Sequence, residues 1–125
     1  CVTRRQRQMC IRDRYIIFGS ILNLIKLSKL KNEEIAHQLK DLDDWKYTDN
    51  SLTRSYQLDS FMDVMSFANL VSDKSEEINH HPKMIIDYNN ITFILATHSE
   101  GGVTKLDFDL ASFINNIYYE LYASI

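Results

Sequence analysis

The chain has 125 residues and a mass of 14.7 kDa, the usual size of one domain with one functional site. Its 45% hydrophobic and 25% charged residues, with three Gly and one Pro, are typical of a globular protein and exclude collagenous and disordered classes. The net charge of −3 offers no basic footprint for nucleic acid or anionic lipid. We therefore expect a small molecule or a protein as partner, with no direct nucleic-acid or membrane contact.

Residues 1–14 differ from the rest of the chain in charge. Five Arg against one Asp give this piece a charge of +4, whereas nine basic and sixteen acidic residues leave −7 for residues 15–125. Together with the apolar stretch that follows, this piece resembles a signal peptide, a mitochondrial presequence or translated adapter sequence. No small-residue cleavage site follows, however, and the apolar stretch is too short to span a bilayer. We predict a non-native or disordered leader over residues 1–28 and a folded domain over residues 29–125.

A helix and a hairpin open the predicted domain. Asn32 is a favourable N-cap, and the spacing of Ile35, Leu39 and Leu42 predicts a helix that ends around residues 43–44. Two β-prone runs, residues 45–48 and 52–58, flank the turn-forming residues 49–51 and predict a hairpin. One face of its second strand is formed by Leu52, Arg54, Tyr56 and Leu58.

A second helix and a second hairpin follow. Asp59 and Ser60 can cap a helix that Pro82 must terminate. Its apolar stripe consists of Phe61, Val64, Met65, Ala68, Val71 and Ile78. Residues 84–88 and 91–97 predict two strands joined by Asn89-Asn90, which tolerate a positive φ. Alternation in the second of these strands puts Ile91, Phe93, Leu95 and Thr97 on one face.

The last helix begins at Thr104, with Asp107 in capping-box spacing. Its predicted inner stripe is Leu106, Leu110, Phe113, Ile114, Ile117 and Leu121, and a second apolar stripe is formed by Phe108, Ala111, Tyr118 and Tyr122. Two stripes exceed what one helix needs for a monomeric core, so the second predicts self-association as a homodimer or homotetramer. The order α-β-β-α-β-β-α predicts an α+β fold with a four-stranded antiparallel sheet whose helices pack on one face.

Three of the four histidines, His80, His81 and His98, fall within nineteen residues of one another. Imidazole both donates and accepts protons near neutrality, so their convergence in one pocket would suit general acid–base catalysis. The carboxylate of Glu76, four residues before His80, and the helix C-terminus would favour the protonated ring. Two alternatives stay open: the His pair can simply terminate a helix, or the three rings can bind zinc, although no His-Glu-x-x-His spacing supports this.

The segment Glu76-Glu-Ile-Asn-His-His-Pro82, with Tyr88, His98 and Asp107 at fixed gaps beyond it, resembles the signature of the pterin-4a-carbinolamine dehydratases. The resemblance covers roughly residues 30–118. It also includes Leu39, Trp45, Leu52, Arg54, Tyr56 and Phe61 upstream, and Gly102, Thr104 and Leu110-Ala-Ser-Phe-Ile114 downstream. Two positions depart from the family pattern: Asp44 replaces a common Gly, and Asn79 replaces a frequent acid.

The resemblance implies an enzyme without a metal or organic cofactor. Such dehydratases convert 4a-hydroxytetrahydropterin, left by aromatic amino acid hydroxylases, into quinonoid dihydropterin and water. The implied catalytic residues are His80, His81 and His98. The implied substrate-binding residues are Glu76, Asn79, Ala96, Thr97, Ser99 and Asp107. We expect His80 and His98 to share proton transfer and His81 to position the pterin.

The family also implies a second kind of function. Its animal members double as dimerisation cofactors of a homeodomain transcription factor, and such a partner would bind a helical surface, for which the second stripe of the last helix is the candidate. Both cysteines, Cys1 and Cys10, lie in the basic leader, so nothing calls for an oxidising compartment. We expect a cytoplasmic protein, which would also be nuclear if it serves as a coactivator.

Overall fold

The computed structural model describes residues 28–123, so the predicted leader lies almost wholly outside the described residues. The helices are α1 (Asn32–Leu39), α2 (Phe61–Ile78) and α3 (Lys105–Ile117), and the strands are β1 (Lys46–Thr48), β2 (Ser51–Gln57), β3 (Lys83–Asp87) and β4 (Asn90–Leu95). A 3₁₀ turn spans His98–Glu100, and a π-helical turn, Tyr118–Tyr122, continues α3. The predicted α-β-β-α-β-β-α order and α+β class are confirmed.

The strands form one antiparallel sheet in the order β1-β2-β4-β3. Alternate side chains of a strand point to opposite faces, and the faces predicted for β2 and β4 are confirmed. The helix-covered face buries Leu52, Tyr56, Ile91, Phe93 and Leu95, while α2 and α3 contribute Val64, Phe67, Leu110 and Ile114 to the same core. The core therefore lies between one sheet face and the helices.

Several element boundaries differ from the prediction. Helix α1 has Lys31 as its N-cap and ends at Leu39 rather than near residue 43, yet Leu42 is buried because the following turn folds it inward. The second hairpin turns at Tyr88 and Asn89, and it is Tyr88 that has a positive φ of 51°. On α2, Phe61 is 44% exposed, and Phe67 supplies the buried ring.

The second apolar stripe of the last helix faces the interior, so its prediction as a docking surface is wrong. Phe108 and Ala111 are buried in the core, and Tyr118 and Tyr122 pack against it. The Tyr118 ring lies 4.8 Å from that of Tyr56, measured between centroids. The last helix meets the sheet through Asn115, which contacts Arg54 of β2, and it meets α2 through Tyr122, whose ring packs against Phe67. Its apolar pattern alone does not show that it is covered from both directions. Leu121, predicted to point inward, is 60% exposed.

Within residues 28–123 we find no helix that combines the length and the apolar character needed to cross a bilayer.

Candidate active site

The site begins where α2 ends. Asn79 caps the helix in the left-handed conformation, with φ 53° and ψ 44°, a geometry that Asn tolerates better than most residues. This conformation turns the chain out of the helix, and the His80 N–H donates to the Ser75 carbonyl at 3.0 Å. Pro82 then leads into β3, whose pairing with β4 begins at Lys83 and Ile94. Because the two strands are antiparallel, the residues before Lys83 and those after Ile94 lie at the same end of the sheet, and so do the His pair and residues 96–97.

His80 pairs with a buried carboxylate. Its Nε2 lies 2.5 Å from Oδ1 of Asp107, which is 27 positions away at the start of α3. The Asp107 side chain has no solvent exposure, and that of His80 is 11% exposed. With Asp107 ionised, its oxygens only accept hydrogen bonds, so Nε2 of His80 is then the donor and Nδ1 is the ring nitrogen that this bond does not use.

Asp107 is anchored by further hydrogen bonds. Its Oδ2 accepts from the Thr104 backbone N–H at 2.9 Å, which closes the predicted capping box of α3, and from the Thr97 hydroxyl at 2.8 Å. The hydroxyls of Thr97 and Thr104 are themselves 2.8 Å apart. One carboxylate therefore joins the N-terminus of α3, the end of β4 and the histidine.

His81 has a different partner. Its Nε2 lies 3.0 Å from Oε1 of Glu76, and both side chains are 54% exposed. The ring that lies within hydrogen-bonding distance of Glu76 is therefore that of His81, whereas the expectation named His80. Asn79 leaves the helical path, and His81, the fifth residue after Glu76, comes within reach of its carboxylate.

His98 opens the 3₁₀ turn that follows β4 and is exposed, as is Ser99, while Ala96 is half-buried. The turn closes through a bridge between Thr97 and Gly102 and through Gly101, whose φ is 70°. His98 thus directly follows the residue whose hydroxyl binds Asp107. The structure places the predicted site residues at three places, the end of α2, the end of β4 and the first turn of α3, and the bonds of Asp107 to His80 and Thr97 join them.

Sequence reasoning did not give Thr104 a role in the site. The capping-box spacing of Thr104 and Asp107 is the signal for it, but this spacing by itself indicates only a helix start. Across residues 28–123 no three His, Cys, Asp or Glu side chains are grouped so that they could hold a metal ion.

Fold and site together define an α+β protein in which a histidine pair at the end of one helix meets a buried carboxylate at the start of another. A family model described as pterin 4 alpha carbinolamine dehydratase matches residues 28–117. The chain belongs to the pterin-4a-carbinolamine dehydratase family.

Curated relatives carry the name of the same dehydratase. A protein of Sulfolobus acidocaldarius is 37% identical over 89 residues, which is 71% of this chain and 98% of the relative. One of Mycobacterium avium is 41% identical over 91 residues, or 73% and 97% of the two chains. The crystal structure of a Brucella melitensis protein, described as a transcriptional coactivator/pterin dehydratase, superposes with a TM-score of 0.70 at 35% identity and covers 72% of this chain and 98% of its own.

Proposed function

We propose that the protein is a 4a-hydroxytetrahydropterin dehydratase that works by histidine acid–base catalysis. The observation that carries the proposal is the His80–Asp107 pair, which leaves one ring nitrogen of a half-buried histidine available beside two exposed histidines. Family membership supports the choice of substrate. The reaction would recycle the pterin that aromatic amino acid hydroxylases use.

The proposed reaction breaks one carbon–oxygen bond. The bond between C4a and its hydroxyl oxygen breaks, and the oxygen takes a proton and leaves as water. The pterin N5 loses its proton, and the electron pair of that N–H bond forms the C4a=N5 double bond of the quinonoid product. The reaction therefore needs one group that donates a proton and one that accepts a proton, each of which is typically worth about 10²–10⁴-fold in rate.

The histidines fit these two roles. We assign proton transfer to His80 and His98, and the positioning of the pterin to His81 with its partner Glu76. His80 is the most constrained of the three, because Asp107 holds its Nε2 and the backbone of Ser75 holds its N–H. Asn79, Ala96 and Ser99 border the histidines and are proposed to line the pterin site.

The test follows the absorbance of 4a-hydroxytetrahydropterin as an aromatic amino acid hydroxylase generates it, with and without the full chain. Wild-type protein should accelerate its decay, and His80→Ala and His98→Ala should each lose about 10²-fold or more of that acceleration. His37→Ala is the matched control, because His37 is an exposed histidine on α1 that is not among the predicted site residues, and the variant should retain the wild-type rate.

Folding of each variant is checked by circular dichroism. Folded wild-type protein that does not accelerate the decay would refute the dehydratase. Activity that survives in His98→Ala would refute the role assigned to that ring, and equal losses in all three variants would show that the effect does not come from the site.

The description of the Brucella relative names a coactivator as well as a dehydratase. In this chain the helical stripe that suggested such a role is interior, with Phe108 5% and Ala111 0% exposed. A protein partner would therefore need another surface.

Self-association stays a prediction, and sedimentation velocity of the full chain tests it. A monomer at micromolar concentration would contradict a stable dimer or tetramer.

A further inference from the structure

Every polar group of Thr97 already takes part in a hydrogen bond within the chain. Its N–H donates to the Gly102 carbonyl at 2.8 Å, and its carbonyl accepts from the N–H groups of Glu100 at 3.0 Å and Gly102 at 3.4 Å. Its hydroxyl contacts Asp107 and Thr104, and the residue is 6% exposed. A residue so fully engaged within its own chain is poorly suited to contact substrate.

The direction of the hydrogen bonds follows from counting hydrogens. A hydroxyl has one hydrogen, and that of Thr97 is donated to Oδ2 of Asp107, because the carboxylate can only accept. The contact between the two hydroxyls must then use the hydrogen of Thr104, with Thr97 as acceptor. The result is a directed chain from Thr104 through Thr97 to Asp107, in which each bond polarises the next.

The two oxygens of the carboxylate have separate tasks. Oδ2 accepts from the Thr97 hydroxyl and from the Thr104 backbone N–H, and Oδ1 accepts from His80. Rotation of the Asp107 side chain would exchange the two oxygens and break these bonds together. The threonines therefore keep Oδ1 directed at the histidine, and of the two neutral tautomers of the ring an acceptor held at Nε2 favours the one with hydrogen on Nε2 and a lone pair on Nδ1.

We propose that Thr97 and Thr104 are positioning residues: their hydroxyl chain holds Asp107 so that His80 keeps its hydrogen on Nε2 and presents Nδ1 to the reacting molecule. Thr97 thereby acts through Asp107 rather than by binding substrate. The consequence for turnover rests on the dehydratase proposed above. The consequence for the ring of His80 does not, because it concerns the resting protein.

The experiment replaces the hydroxyl of Thr97 without changing its shape. Thr97→Val removes the donor, Thr97→Ser restores it, and Thr48→Val is the matched control on an exposed position of β1. The tautomer of His80 is measured from the ¹⁵N shifts of its ring at about pH 8.5, where free imidazole is neutral. We expect the Nε2–H form in wild type, Thr97→Ser and Thr48→Val, and a mixture of both tautomers in Thr97→Val.

Turnover provides the second readout. In the pterin assay Thr97→Val should lower kcat roughly tenfold to a hundredfold with little change in KM, the scale expected for a lost hydrogen bond to a charged group, and Thr97→Ser should recover most of it. Should Thr97→Val fail to fold, Thr104→Val removes the first donor of the chain and should shift the tautomer in the same direction by a smaller amount.

An unchanged tautomer in the folded variant, or a raised KM with an unchanged kcat, would overturn the proposal. If the wild-type protein shows no dehydratase activity but the tautomer shifts as expected, the dehydratase fails and the positioning role stands. If activity is present and the tautomer does not move, the dehydratase stands and the positioning role fails.

Discussion

Replacing Asn115 by Leu should destabilise the fold more than any comparable change on the outer surface of α3. Asn115 is 6% exposed, and its Oδ1 accepts hydrogen bonds from Trp45 Nε1 at 2.9 Å, from Arg54 at 2.6 Å and from the Tyr56 hydroxyl. Leu fills a similar volume but accepts nothing. The indole N–H and the phenol hydroxyl would then be buried without an acceptor, while Arg54 keeps its bond to the Asp43 carbonyl.

The magnitude follows from these two stranded donors. Each buried donor without a partner costs about 1–3 kcal/mol, and the added apolar surface of Leu offsets part of the sum, so we expect a loss of about 3 kcal/mol in the free energy of unfolding. For a domain of this size that corresponds to a Tm lower by roughly 10–20 °C. Such a loss is a large share of the 5–15 kcal/mol that typical domains possess.

Urea unfolding followed by tryptophan fluorescence measures this directly, because Trp45 is the single Trp of the chain and is itself a donor in the network. Asn116→Leu is the matched control, an exposed Asn next in sequence, and should change stability by no more than about 0.5 kcal/mol. Asn115→Asp retains an acceptor beside Arg54 and should lose less than Asn115→Leu. Equal urea midpoints for Asn115→Leu and Asn116→Leu would refute the reasoning.

Three further predictions concern stability. Burial raises the pKa of the Tyr56 hydroxyl above its ordinary value of 10.0, so the unfolded chain loses this proton at a lower pH than the folded chain does. Stability is therefore fully present below about pH 10 and falls above it by up to about 1.4 kcal/mol per pH unit. Urea midpoints measured up to about pH 11 should fall less steeply with pH in Tyr56→Phe than in wild type, whereas the exposed control Tyr88→Phe should keep the wild-type slope. Asn79→Gly should leave the urea midpoint nearly unchanged, whereas Asn79→Val should cost about 1–2 kcal/mol, because Val is strained at φ 53° and Gly is not. Equal urea midpoints for the two variants would contradict this. Ser60→Ala should cost about 1 kcal/mol of stability in thermal unfolding, because the Ser60 hydroxyl caps α2. The control Ser112→Ala, at an exposed position, should change stability by less than about 0.5 kcal/mol. A loss in Ser60→Ala no larger than the loss in Ser112→Ala would be inconsistent with a stabilising cap.

The departures from the family pattern have a backbone explanation. Asp44 has a φ of 63°, a conformation in which Gly is unstrained, and this accounts for the Gly that the family commonly has there. Asp is among the residues that tolerate this region, and its carboxylate also lies 3.4 Å from Arg54. Asn79 likewise occupies a left-handed position, so its identity suits the helix end as well as the site beside it.

Local patterns were sufficient for the element order and for most of the buried faces. Alternation in β2 and β4 predicted their inward side chains, Ser60 predicted the start of α2, and the capping-box pair Thr104 and Asp107 predicted the start of α3. These features depend on residues within a few positions of one another, so they are visible in the sequence. The resemblance to the dehydratases added the histidines as one set.

Contacts between distant residues could not be obtained in this way. The pairing of His80 with Asp107 spans 27 positions, and that of Arg54 with Asn115 spans 61. The partner of each group depends on how α3 lies against the sheet, and the same packing turned Phe108 and Ala111 inward. The sequence by itself determined which residues could supply protons and which faces could be buried; the tertiary structure decided which carboxylate holds which histidine, because only the packed chain brings these groups within hydrogen-bonding distance.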